Sequence, residues 1–191
     1  MRWNPPWMSR SSLAGIHSTD QYGIRWVLIP AKKPFLMAET PVTQEQYQRV
    51  MGVNPSYFRG PRRPVERVNF REAEVFSSRV GGRLPTEGEW YFAAMGGGTA
   101  DPYGDPLEIG WFYENSGRRT HPVKRKRPNG YGLYDMLGNV LHWTSPSEGI
   151  YRVIRGGSWN NSVGITRASF RRRLAPDYSY NSLGFRPVKD L

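Results

Sequence analysis

Apolar positions in the first half of the chain recur at helical spacing, and each run has a capping residue in front and glycine behind. Thr86 with Glu89 three residues on forms a capping box, after which Trp90, Ala93 and Ala94 share one face until Gly96-Gly97-Gly98. Asn69 caps a second run, in which Phe70, Ala73, Phe76 and Val80 make the inward stripe before Gly81-Gly82. Thr43 and Gln46 open a third, with Tyr47, Val50 and Met51 inward. Past residue 100 the pattern shifts to short aromatic segments punctuated by glycine, and Tyr151–Ile154 and Leu183–Pro187 read best as strands. No internal repeat or linker is visible. Residues 1–21 read as an N-terminal extension and 22–191 as one domain.

Composition sharpens this. With 21 Gly and 16 Pro in 191 residues, long helices have little room and turns are favoured. There is no cysteine, which excludes a disulfide framework, thiolate metal ligands and a thiol nucleophile. No apolar run approaches the ~20 residues of a membrane span. The N-terminus, with Asn4, two prolines and Ser11-Ser12, lacks the apolar centre of a signal peptide, so a cytoplasmic location is the default expectation.

A net charge of +11 brings nucleic acid into view as a partner, through Lys124-Arg125-Lys126-Arg127 and Arg171-Arg172-Arg173 with Tyr178 and Tyr180 close by. No helix-turn-helix, zinc-finger or RNA-binding signature accompanies that charge. His17, His121 and His142 are too scattered for a metal site, and the glycine pairs lack the Lys-Ser/Thr of a phosphate loop. No metal or cofactor is expected.

Five ordered blocks carry a resemblance: Trp26–Ala31; Glu39–Tyr47; Arg83–Trp90; Pro128–Val140; and a frame of Arg155-Gly156-Gly157-Ser158-Trp159, Arg167, Arg171, Pro176-Asp177 and Gly184-Phe185-Arg186. Together they resemble the formylglycine-generating enzyme (sulfatase-modifying factor) family over about Tyr22–Leu191. The resemblance implies an α+β, C-type-lectin-like fold, loop-rich, with few short helices and a small antiparallel sheet. It also implies a cysteine pair after the Gly-Gly-Ser block in the enzymes, and Asn160–Ser169 has none. No other residue type replaces a thiolate at neutral pH, so the chain is expected to be no enzyme. Where the family pattern reads Gly-Asn-Val-Trp-Glu-Trp, this chain has Gly138-Asn139-Val140-Leu141-His142-Trp143, which removes support for carrying a family calcium site over. His142 then reads as a hydrogen-bonded histidine beside the core, and Asn139 and Asp135 as turn formers.

Within this family the frame is similar to the variable proteins of diversity-generating retroelements, whose C-terminal segment is rewritten by adenine-directed mutagenesis. Arg155–Trp159, Arg167, Arg171, Arg173, Pro176, Asp177 and Leu183–Arg186 occupy the fixed places, making 155–186 the variable region. Adenine mutagenesis of an AAC codon cannot produce Lys, Glu, Gln, Met or Trp, and none of these occurs from Asn160 to Ser182. The positions expected to contact ligand are Asn160, Asn161, Ser162, Gly164, Ile165, Phe170, Arg172, Leu174, Ala175, Tyr178, Tyr180, Asn181 and Ser182. Their mixture of Tyr, Asn, Ser, Gly and Arg is that of antibody paratopes, with Phe170, Ile165 and Leu174 as an apolar centre. Arg155, Arg167 and Arg186 are expected to brace the loops, while Gly156, Gly157 and Gly184 allow close backbone approach. The expected function is non-enzymatic binding of a protein or cell-surface ligand, without membrane insertion. A fixed interaction module descended from the enzymes, and a basic nucleic-acid-binding protein, remain as alternatives.

Overall fold

A computed structural model describes residues 17–145 and 149–191. In chain order the elements are β1 (His17–Thr19), β2 (Arg25–Ile29), β3 (Phe35–Ala38), α1 (Gln44–Met51), α2 (Phe70–Arg79), α3 (Glu87–Met95), α4 (Pro106–Ile109), β4 (Leu141–Trp143), β5 (Arg152–Arg155), β6 (Arg171–Leu174), β7 (Leu183–Gly184) and β8 (Val188–Asp190). Each of the three expected helices forms with a complete capping box, on Thr43, Asn69 and Thr86. In each, the cap side chain accepts from one orphan N–H and the third helical residue returns the bond. Gly52 and Gly96 end α1 and α3 in the left-handed conformation.

The strands form two small four-stranded sheets, mostly antiparallel. Their orders are β1-β2-β3-β8 and β6-β5-β4-β7, and the β4–β7 pair is parallel. The chain changes sheets near its end. Leu183–Pro187, expected as one strand, pairs with β4 only at Leu183 and Gly184, and the chain then crosses to the first sheet, where Val188–Asp190 pair with β3 as β8. Arg186 stands at the crossing, fully buried, and donates to the carbonyls of Ala38 and Glu39 on one side and Tyr134 and Asp135 on the other. A planar guanidinium presents several donors at fixed angles, which suits four convergent carbonyls.

His17–Thr19 pair with β2, and the Asp20 carboxylate accepts from Tyr22 N, Ile24 N and Trp26 Nε1. The rest of the expected extension, residues 1–16, lies outside the described residues.

One core cluster gathers Trp26, Tyr47, Phe70, Phe76, Trp143 and Phe185 between α1, α2 and the second sheet. The other gathers Val27, Met37, Trp90, Phe112, Leu133 and Leu137 around α3. Tyr47 stacks on Phe76 at 5.5 Å, and both meet Phe185 edge-on. These rings lock the end of the chain against the first two helices.

Candidate functional site

The segment after β5 is anchored from beneath by residues of the sequence frame. Arg155, nearly buried, donates to the carbonyls of Ala168 and Ser169 and pairs with Glu87 at the start of α3. Glu87 also accepts from Arg171 at 2.6 Å, so one carboxylate ties β5 and β6 to α3. Burial pushes this carboxyl up, but the hydrogen bonds from Arg171 and Arg155 outweigh it and hold Glu87 below the usual carboxylate range. A Cβ on Gly156, at φ +92°, would lie 2.6 Å from Met136 O, and one on Gly184 would lie 2.5 Å from Val65 O. Both glycines therefore serve close backbone approach, as expected. Arg167 does not match its expected bracing role, because it is exposed.

The expected contact positions divide. Asn160, Ser162, Gly164, Ile165, Arg172, Tyr178 and Tyr180 are exposed, while Asn161, Ala175 and Asn181 are partly so. Ser182 is buried, with its carbonyl accepting from Leu141 N where β7 meets β4. Phe170 and Leu174, at the two ends of β6, are partly buried and pack against the first core cluster. Of the expected apolar centre, only Ile165 faces solvent. The exposed positions sit on a 3-10 turn, Val163–Ile165, on the edge strand β6, and on the Tyr178–Asn181 turn.

Neighbours from earlier in the chain complete the surface, and the sequence patterns did not mark them. Trp159, half-buried, meets Phe58 edge-on at 5.4 Å, and its indole N–H donates to Asn181 O. Phe58 meets Tyr57, and the Arg67 guanidinium lies 5.0 Å from the Tyr57 ring. Arg67 N–H donates to Tyr180 O at 2.9 Å, and Tyr180 stacks on Tyr178. On the other side, Tyr113 N–H donates to Asn161 O, and Glu114 accepts from Ser162 Oγ and Val163 N.

The 54–64 loop that presents Tyr57 and Phe58 is built on two buried side chains. Gln44 donates to the carbonyls of Phe58 and Pro64 and accepts from Asn54 and Gly60 N. Glu66, fully buried, accepts from Phe58 N at 2.7 Å, and its other oxygen has no partner. Burial pushes the Glu66 carboxyl up to about 7.

Part of each basic run is paired. Lys124 pairs with Glu39, Arg127 with Glu108 and Arg171 with Glu87, while Lys126 donates to Leu107 O and lies over the Trp111 ring. His142 is fully buried and its Nδ1 accepts from Trp90 Nε1, as expected of a core histidine. Burial lowers it well below its ordinary value, so it is neutral at physiological pH. Asp135 and Asn139 take the left-handed turn conformation. Among the described residues, no group of three or more His, Cys, Asp or Glu is placed to hold a metal ion.

A model of the sulfatase-modifying factor enzyme 1-like domain matches residues 29–191. The chain belongs to this family. It is 32% identical over 182 residues to the formylglycine-generating enzyme of Streptomyces coelicolor, an alignment covering 75% of this chain and 58% of that one. It is 35% identical over 147 residues to the inactive C-alpha-formylglycine-generating enzyme 2 of Mus musculus, covering 64% and 48%. The chain therefore spans about half the length of these two curated relatives. Among solved structures, Treponema denticola variable protein 1 superposes with a TM-score of 0.84 at 27% identity, covering 92% of this chain and 99% of that one. This family member has the α+β, C-type-lectin-like fold expected from its residues, and its likeness to a variable protein agrees with the expected relationship.

Proposed function

We propose that this member of the sulfatase-modifying factor family is a non-enzymatic binding protein, whose C-terminal surface contacts a protein or cell-surface ligand and is diversified by adenine-directed retroelement mutagenesis. One observation carries the reading: within 155–186, the frame arginines Arg155, Arg171 and Arg186 bind carbonyls and carboxylates of the scaffold, while ten of the thirteen exchangeable positions are exposed or partly exposed outside the core clusters. Such a partition lets a surface vary without cost to the scaffold. The absence of cysteine supports a non-catalytic role, and the likeness to a variable protein supports a ligand-facing one.

The test is to sequence the locus across many isolates. Differences should cluster at Asn160, Asn161, Ser162, Gly164, Ile165, Arg172, Ala175, Tyr178, Tyr180 and Asn181 and trace to adenines in a neighbouring repeat. An invariant segment would reject diversification. It would leave a fixed interaction module, a reading favoured by the similarity to an inactive family member.

A further inference from the structure

We propose that Tyr57 and Arg67, outside the 155–186 segment, form a constant anchor of the ligand surface, and that this anchor selects acidic protein partners. The inference rests on the proposed binding role of the C-terminal surface. It begins with Arg67, a non-glycine residue held at φ 59°, a conformation that L residues adopt rarely and that gathers at functional sites. There its N–H holds Tyr180 O at 2.9 Å and its guanidinium lies over Tyr57. One residue thus couples the 54–60 loop to the tyrosine turn of the C-terminal segment. Tyr57 is 58% exposed, Tyr178 46% and Tyr180 43%. Three tyrosines beside an arginine on one face supply the residue types that dominate interface hot spots.

Charge selects the partner. Segment 155–186 carries six arginines against one acid, Asp177. Arg155 and Arg171 are paired with Glu87, and Arg186 is buried on carbonyls. Arg172, Arg67 and Arg118 are exposed, and no salt bridge engages them among the described residues. Of the nearby carboxylates, Glu66 lies beneath the loop, Glu114 is held by Ser162 and Val163, and Asp177 is exposed, so arginines outnumber exposed acids on this face. Arg67 over Tyr57 and Arg118 over Tyr113, neither in a salt bridge among the described residues, fit an acidic protein surface. Nucleic acid fits less well, because Tyr178 and Tyr180 stack on each other and Tyr57 carries Arg67, so each ring already has one face taken.

The anchor can be tested without knowing the natural ligand. A display library of the full chain, randomised at Asn160, Asn161, Ser162, Gly164 and Ile165, would be selected in parallel on two probes of one fold and opposite charge, acidic α-lactalbumin and basic lysozyme. Binders should arise preferentially against α-lactalbumin. In each, Arg67→Gly, which suits the left-handed backbone, and Tyr57→Ser should weaken binding about tenfold or more, with the melting temperature nearly unchanged. Arg125→Ala, in the other basic run, serves as the charge control. Equal losses in Arg67→Gly and Arg125→Ala, no loss in Arg67→Gly, or equal yields on both probes would overturn the anchor while leaving the binding role standing. Tighter binding of oligo-dT than of either protein, lost in Tyr57→Ser, would replace the acidic protein with nucleic acid. A library with no binder to either probe would overturn the binding role and the anchor with it.

Discussion

Glu66 makes a buried carboxyl measurable as a slope of stability against pH. Its side chain is fully buried, one oxygen accepts from Phe58 N, and the other has no partner, so ionisation leaves a charge away from solvent that the nearby Arg67 and Arg59 only partly offset. Burial moves the group from 4.5 to about 7 in the folded chain. Between those values the folded protein holds a proton that the unfolded chain has released, so stability falls as pH rises. The full contribution is present below 4.5, and the loss is complete above about 7. At about 1.36 kcal/mol per pH unit, the interval amounts to roughly 3 kcal/mol. Glu66→Gln keeps the shape and removes the titration.

Urea unfolding of the wild type and Glu66→Gln at pH 5 and pH 8 would isolate the effect. The neighbouring contributions cancel in the double difference. Burial lowers His121 and His142, so both add stability as pH rises in either protein, and Glu87 and Glu89 are ionised throughout this range. The wild type should lose about 2–3 kcal/mol more than the variant on going from pH 5 to pH 8. A double difference below about 0.5 kcal/mol would mean that the Glu66 pocket admits water and that the carboxylate is solvated.

Other substitutions separate scaffold from surface. Trp90→Ala should cost about 3–5 kcal/mol by urea unfolding, since the ring is fully buried and donates to His142. Trp159→Ala, at a half-buried ring, should cost well under half as much but loosen the Asn181 turn, visible as faster amide exchange at Asn181 and Ser182. Glu87→Gln should cost about 2 kcal/mol at neutral pH and flatten the acid limb of the stability curve. A depressed carboxyl contributes in full above 4.5 and loses that contribution as pH falls through its folded value. Gly156→Ala should destabilise by more than about 2 kcal/mol, because φ is +92° and Met136 O stands where the methyl group would go. Arg172→Ser or Tyr178→Ser should leave the free energy of urea unfolding within about 0.5 kcal/mol of wild type.

The local sequence determined the three capped helices, the family frame and the bracing roles of Arg155 and Arg186. Each follows from chemistry within a few residues or from a motif whose order is itself the evidence: a cap three residues before its acid or amide, a glycine where a helix must stop. The missing thiol was equally legible, because a reactive group cannot be supplied by folding. Only the tertiary structure decided what lies opposite what. Leu183–Pro187 reads as one strand because its alternation is continuous, yet two sheets compete for it and the four carbonyls around Arg186 break it. Phe170 and Leu174 look like surface aromatic and aliphatic residues in a polar segment, but the tertiary fold brings the first core cluster against both ends of β6 and packs them on it. Tyr57 and Arg67 carry no motif at all. They reach the C-terminal surface through a hydrogen bond to a residue more than a hundred positions away, and that proximity comes from closing the chain into one domain rather than from any local preference.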